Sequence, residues 1–279
     1  MSQNNKNSWK RSFLTIAAGQ TVSLIGSAAV QFSLIWWLAS ETGSPFMMSI
    51  AGMFAFLPQL FLGPFVGVWV DRLSRKIVII AADLFIGFAA LVFALFFLVD
   101  TPPYWSACVI LGIRGIGNVF HTPAIQAAVP MLVPQEELVR ANGWSQFMQS
   151  GAFLLGPVLG AAMYAALPLW IILMSDLAGA LVASITVALV KIPDPERKTQ
   201  QIPHFFREMK EGAAVIWQDK KLFIVTTATL LGMLFYAPLS AYYPLMTSDY
   251  FKADAWHASM VEFSYAGGMM LCAIILGKF

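Results

Sequence analysis

Eight stretches of this chain stay apolar for longer than the core of a soluble domain requires. Their approximate limits are 13–38, 45–70, 77–99, 104–129, 144–166, 169–190, 222–246 and 257–277. About 20 apolar residues wound into a helix cross the hydrocarbon of a bilayer. Lipid offers no water to the backbone, so only helices and closed barrels span it. The pattern predicts an all-α polytopic membrane protein. Composition agrees, with 58% of the 279 residues hydrophobic and 11% charged, against about 25% charged in soluble domains. The first stretch, from Phe13 to about Leu38, is too long for the core of a signal peptide and reads as a first spanning helix. Short links carry the turn residues, as in Thr42-Gly43-Ser44-Pro45, Asp100-Thr101-Pro102-Pro103 and Leu167-Pro168.

Basic residues predict the orientation. With the N-terminus cytoplasmic, all of the 17 Lys and Arg fall on cytoplasmic stretches except Lys252 and the intramembrane Arg114. This is the positive-inside distribution. The nine Trp lie at or near predicted segment ends, as an interfacial anchoring belt would place them. Three regions are expected. Residues 1–190 hold an N-terminal bundle of six helices. Residues 191–221 form a cytoplasmic linker, and residues 222–279 supply two further helices. Within the linker, Phe205, Met209, Ala213 and Ile216 fall near one helical face, with Arg207, Lys210 and Glu211 away from it. That spacing predicts an amphipathic helix on the membrane surface.

Ionisable residues inside the spans are the functional candidates. They are Asp83, Arg114, Asp176 and Glu262. A cation at mid-membrane costs about 2.5–3.5 kcal/mol on insertion scales, so Arg114 must face a partner or a wet cavity. Asn118 and His121 follow at helical spacing and are expected on the same face. Asp83 could pair with Arg114 or with the basic loop before it. Asp176 and Glu262 are alternative proton sites, since a poorly solvated carboxylate holds its proton more readily. Gln20, Ser23, Ser27 and Gln31 form a polar stripe on the first helix. Such a stripe lines a cavity or bonds to a neighbouring helix. Cys108 and Cys272 lie in apolar segments without metal-site spacing.

Between the second and third segments the chain reads Gly63-Pro64-Phe65-Val66-Gly67-Val68-Trp69-Val70-Asp71-Arg72-Leu73-Ser74-Arg75-Lys76. Gly67, Asp71, Arg72, Arg75 and Lys76 resemble the loop signature of the major facilitator superfamily, with Ser74 where glycine is usual. Gly67 would allow close helix approach and Asp71 could latch moving helices. In the fifth segment, Gly156-Pro157-Val158-Leu159-Gly160 resembles the Gly-Pro motif of that superfamily's antiporters. There Pro157 would bend the helix, and Gly156 and Gly160 would permit tight packing. The Arg114 segment resembles the fourth-helix arginine motif. Trp9-Lys10-Arg11, Ala18-Gly19-Gln20 and Phe120-His121-Thr122-Pro123-Ala124 extend the likeness to the macrolide efflux proteins of the drug:proton antiporter-3 group.

The resemblance implies proton-driven export of hydrophobic drugs, macrolides among them, by alternating access in a cell membrane. The partners implied are a small hydrophobic drug, protons and membrane lipid, with no nucleic acid, metal or cofactor. Gln20, Ser27, Gln31, Arg114, Asn118, His121, Asp176 and Glu262 are the expected substrate and proton pathway. Gly67, Asp71, Arg72, Arg75, Lys76, Asp83, Gly156, Pro157 and Gly160 are the expected gating set. The superfamily has twelve helices and this chain has eight predicted, so the stretch is expected to be a fragment or truncated product, with the activity belonging to its full-length parent. Two alternatives stay open: a same-fold exporter of another cargo, such as a siderophore, or a non-transporting truncated membrane protein. Enzymatic function is not expected. Neither Gly-x-Ser-x-Gly, His-Glu-x-x-His nor a phosphate-binding Gly-x-x-x-x-Gly-Lys-[Ser/Thr] loop occurs.

Overall fold

The apolar stretches are helices: α1 (Gln3–Thr42), α2 (Pro45–Arg72), α3 (Arg75–Val99), α4 (Trp105–Leu132), α5 (Leu138–Ala166), α6 (Leu169–Leu189), α7 (Lys220–Leu245) and α8 (Ala255–Leu276). A 3-10 turn, Gln135–Glu137, leads into α5, and a π turn, Met246–Tyr250, follows α7. The computed structural model describes residues 3–193, 210 and 214–276, without the side chains of 3–8, 68, 71, 72, 237, 270 and 272–276. No strand occurs among the described residues. Among the described residues seven helices are long and apolar enough to cross a membrane. The eighth, α8, has 22 residues, and its first half is diluted by His257, Ser259, Glu262 and Ser264.

The helix boundaries follow from local chemistry. Gly43 ends α1 with φ +55°, a conformation that costs glycine nothing, while its N–H donates to the Ala39 carbonyl at 3.0 Å. Ser44 then caps α2, its hydroxyl accepting from the Met47 N–H at 3.4 Å, and Pro45 takes the first helical position. At the other end of α2, Ser74 separates it from α3 without a side-chain cap.

Two compact units are present, one of residues 1–195 with 244–279 and the other of residues 196–243. In the first unit α1 packs on α5 and α6, α3 on α4 and α6, α2 on α4, and α8 on α5. Lipid gives no hydrophobic drive to helix association, so close backbone approach matters. Gly156 and Gly160 supply it: α5 lies directly on Ala28 and Ala29 of α1, and a Cβ at Gly160 would sit 2.7 Å from the Ala29 carbonyl oxygen. Two larger apolar clusters and a smaller one around Phe13, Ala17 and Val133 fill the unit. One, around Leu34, Trp37, Phe93, Leu111 and Ile172, lies away from the basic end that carries Lys10, Arg11, Arg75 and Lys76. The other, around Ile79, Val119 and Val187, lies towards that end.

Two expectations are corrected, for Gly67 and for Asn118. Gly67 is exposed and has no described atom within 4 Å of a Cβ built on it, so it makes no close helix approach. The buried side of α2 is carried instead by Val66 and Val70, at 1% and 2% exposure. Trp36 and Trp37 are buried within the unit, near the end of α1 at Thr42. Trp37 meets Phe97 edge to face and Tyr104 at a tilt, at centroid distances of 5.4 and 5.3 Å. Asn118 is exposed and does not share the buried surroundings of Arg114 and His121, since a four-residue step turns it about 40° around α4. Of the amphipathic linker helix, Phe205, Arg207, Met209, Glu211 and Ala213 lie outside the described residues.

Candidate functional site

Four helices of the first unit bring their polar residues together in two buried layers. α1 supplies Gln20 and Ser27, and α4 supplies His121 and Arg114. Each pair is seven residues apart, roughly 10 Å along a helix axis. The helices run antiparallel, so Gln20 meets His121 near the basic end and Ser27 meets Arg114 farther from it. α3 completes the first layer with Asp83, and α6 completes the second with Asp176.

In the second layer Arg114 is bonded on two sides. Its Nη1 donates to Asp176 Oδ2, and its Nη2 donates to the Ser27 carbonyl at 3.0 Å. The Ser27 hydroxyl donates to the other Asp176 oxygen at 2.5 Å. The Arg114 and Asp176 side chains are 3% and 1% exposed, so the pair is removed from both lipid and water. Opposite charges cancel, and the layer is neutral. A lone cation is thus admitted to the bundle by a carboxylate from another helix.

The first layer has no such fixed cation. Gln20 Nε2 donates to Asp83 Oδ2 at 3.0 Å. His121 Nε2 lies 3.0 Å from Gln20 Oε1 and 3.2 Å from Asp83 Oδ1. Both neighbours of that ring nitrogen are acceptors, so it carries the proton and donates. The pairing of Asp83 with Arg114 expected from sequence does not form. Arg114 is committed to Asp176, and Asp83 stands at the level of His121, two turns away along α4.

Beside these layers a narrow apolar groove, open to the outside, lies between α1, α4 and α5. Phe13, Ile16, Ala17, Leu24, Ile125, Val129, Leu132 and Met148 form its walls, and Gln20, Thr21, Ser145 and Gln149 give it a few polar points. Gln20 therefore belongs to both the groove and the first layer. Apolar walls with few polar points are the kind of lining that a hydrophobic ligand contacts.

The gating set falls apart into separate roles. Lys76 Nζ donates to the Ala188 and Val190 carbonyls at 2.6 and 2.9 Å. It holds the unsatisfied end of α6 and complements its dipole. Arg75 reaches the Met131 sulfur on α4. The side chains of Asp71 and Arg72 lie outside the described residues. Gly156 and Gly160 pack α5 on α1, and Pro157 is buried beside them. Glu262, on α8, and Gln31, on α1, are half-buried. Sequence reasoning missed the cap of Lys76 on α6. The signal was a Lys at the start of one spanning segment and a neighbouring segment ending without any basic residue of its own.

Long apolar helices that bury two polar layers define a multi-pass membrane protein. A sequence profile described as Major Facilitator Superfamily matches residues 16–279. The chain belongs to that superfamily. It is 43% identical over 274 residues to Macrolide efflux protein A of Streptococcus pyogenes, covering 98% of this chain and 68% of that relative. It is 40% identical over 238 residues to Macrolide efflux protein A of Enterococcus faecalis, covering 85% of this chain and 73% of that one. The same fold appears in a crystal structure of a bacterial homolog of the human lysosomal transporter Spinster, in an inward-facing and unoccupied conformation. The TM-score is 0.70 at 14% identity, and the match covers 100% of this chain and 64% of that one.

Proposed function

We propose that this chain serves the proton-coupled export of hydrophobic drugs, macrolides among them, by alternating access across the cell membrane. The observation that carries the reading is the apolar groove joined through Gln20 to a buried layer containing Asp83 and His121. A large apolar drug gains most by leaving water for such walls. A buried ionisable layer gives the proton gradient a place to act. The likeness to macrolide efflux proteins supports the choice of cargo.

The Arg114–Asp176 pair, with Ser27, fixes α1, α4 and α6 to one another. Lys76 ties α3 to the end of α6. These polar contacts are the ones a rearrangement would break and remake, because each has a definite geometry that packing alone does not impose. The N-terminus lies on the cytoplasmic side in this reading, with the basic end facing the cytoplasm. The role is transport, with no chemistry done on the cargo.

Accumulation of radiolabelled erythromycin in cells making the protein tests the proposal. Lower accumulation than in control cells, restored by an uncoupler, is the expected result. Equal accumulation in the two, with the protein shown to be in the membrane, would remove drug export.

A further inference from the structure

We propose that Gln20, Asp83 and His121 form a proton-binding site, and that the Gln20 carboxamide carries its state to the apolar groove. The proposal rests on the reading of the chain as part of a proton-coupled exporter and deepens it.

The argument is a count of charges and hydrogens. In the outer layer Arg114 and Asp176 cancel without any exchangeable proton. In the layer nearer the basic end, Asp83 accepts from Gln20 on one oxygen and lies against His121 on the other. Its side chain is 5% exposed and that of His121 is 9%. With a neutral imidazole this layer holds one uncompensated negative charge. One more proton makes it neutral. His121 Nε2 already carries its proton, because it faces two acceptors. The entering proton therefore forms an N–H bond at Nδ1, giving an imidazolium beside a carboxylate. Its departure breaks that bond and returns the proton to water.

Among the described residues of α1 to α6 no other charge stands at the level of this layer, and Glu262 lies on α8, which packs on α5. α1 has acidic or basic residues only at its ends, as Lys10, Arg11 and Glu41, and α3 has only Arg75 and Lys76 besides Asp83. On α4 the other charge is Arg114, already bonded to Asp176, which is the one charged residue of α6. α2 has none between Pro45 and Val70, and α5 none between Ala141 and Ala166. On α6, the neighbours of Gly87 and Lys76 put Ser184 at the level of Asp83. Its hydroxyl is buried and has no hydrogen-bond partner.

Gln20 makes the layer legible to a ligand. Its amide nitrogen binds Asp83 and its amide oxygen faces His121, while the same residue lines the groove. A change in charge at His121 alters how strongly the carboxamide is held, and so what the groove wall presents. Gln20 is a positioning residue in this scheme.

Nitrogen-15 imidazole NMR of the protein in nanodiscs can follow His121, its resonances assigned by their loss in a His121→Gln sample. A protonation step at His121 Nδ1 is expected. In Asp83→Asn it should move to at least tenfold higher proton concentration. Erythromycin at fixed pH should shift wild-type His121 towards the neutral form. In Gln20→Leu the step should persist while the drug no longer moves it. If Asp83→Asn does not fold, the Gln20→Leu and wild-type spectra still decide. A His121 resonance unchanged across the pH range, or one that titrates identically in Asp83→Asn, overturns the site. A drug response that survives unchanged in Gln20→Leu overturns the coupling. A titrating His121 in a wild-type protein indifferent to erythromycin supports the proton site and overturns the drug-export reading.

Discussion

Asp176→Asn should damage the fold far more than the loss of one hydrogen bond. The substitution keeps shape and leaves an amide that can still accept from Ser27. It removes the only anion bonded to Arg114, whose side chain is 3% exposed. What remains for the guanidinium is the Ser27 carbonyl at 3.0 Å, while Nε already lacks a partner. Removing one member of a buried ion pair costs about 3–5 kcal/mol, because the other charge stays behind uncompensated. An interhelical hydrogen bond in a membrane protein contributes only about 0.6 kcal/mol on average. The two magnitudes are far enough apart to be distinguished. Unfolding by a denaturing detergent in bicelles, followed by tryptophan fluorescence, measures the loss for Asp176→Asn, Arg114→Leu and the double variant. Each single variant is expected to lose about 3–5 kcal/mol, and the double variant much less than the two together, since no lone charge remains. A loss below about 1 kcal/mol in Asp176→Asn, or strictly additive losses, would refute the ion-pair reasoning.

Three further outcomes test other contacts. Gly160→Val should lose about 1–3 kcal/mol through overpacking, because its side chain would enter the Ala29 backbone; unchanged unfolding would show that α5 can stand off from α1. Lys76→Ala should speed amide exchange over the last turn of α6, where Nζ holds the Ala188 and Val190 carbonyls, and leave the middle of α6 untouched; uniform exchange along α6 would argue against a local cap. Hydrogen bonds from the His257 side chain and backbone hold the exposed Asp254 carboxyl below its ordinary range. With the folded value lower than the unfolded one, this cap helps α8 above the ordinary carboxylate range and is lost as pH falls through the depressed value. Exchange at the start of α8, corrected for its intrinsic pH dependence, should therefore quicken in acid in the wild type and not in Asp254→Ala.

Much of the fold is written in the order of residues alone. A bilayer-length apolar run has few ways to satisfy its backbone, so the spanning helices and their links could be read before any packing was known. Gly43, Ser44 and Pro45 mark a helix end and a helix start by local sterics and hydrogen bonding. Gly156 and Gly160 announced a close contact, though not that α1 would fill it. Arg114 was legible for the same reason, since a cation in an apolar run demands a partner. Which partner it takes was decided elsewhere. Asp83 and Asp176 are equivalent in sequence, both single carboxylates in apolar helices. Only the antiparallel register of α3, α4 and α6 sends Asp176 to Arg114 and Asp83 to His121. Burial of Trp37 and exposure of Gly67 and Asn118 were likewise hidden, because they depend on which side of each helix finds a neighbour. Sequence determines that the charges must be compensated within the bundle. The tertiary structure decides that Arg114 pairs with Asp176, while Asp83 lies with Gln20 and His121, because the register of the helices sets which side chains share a level.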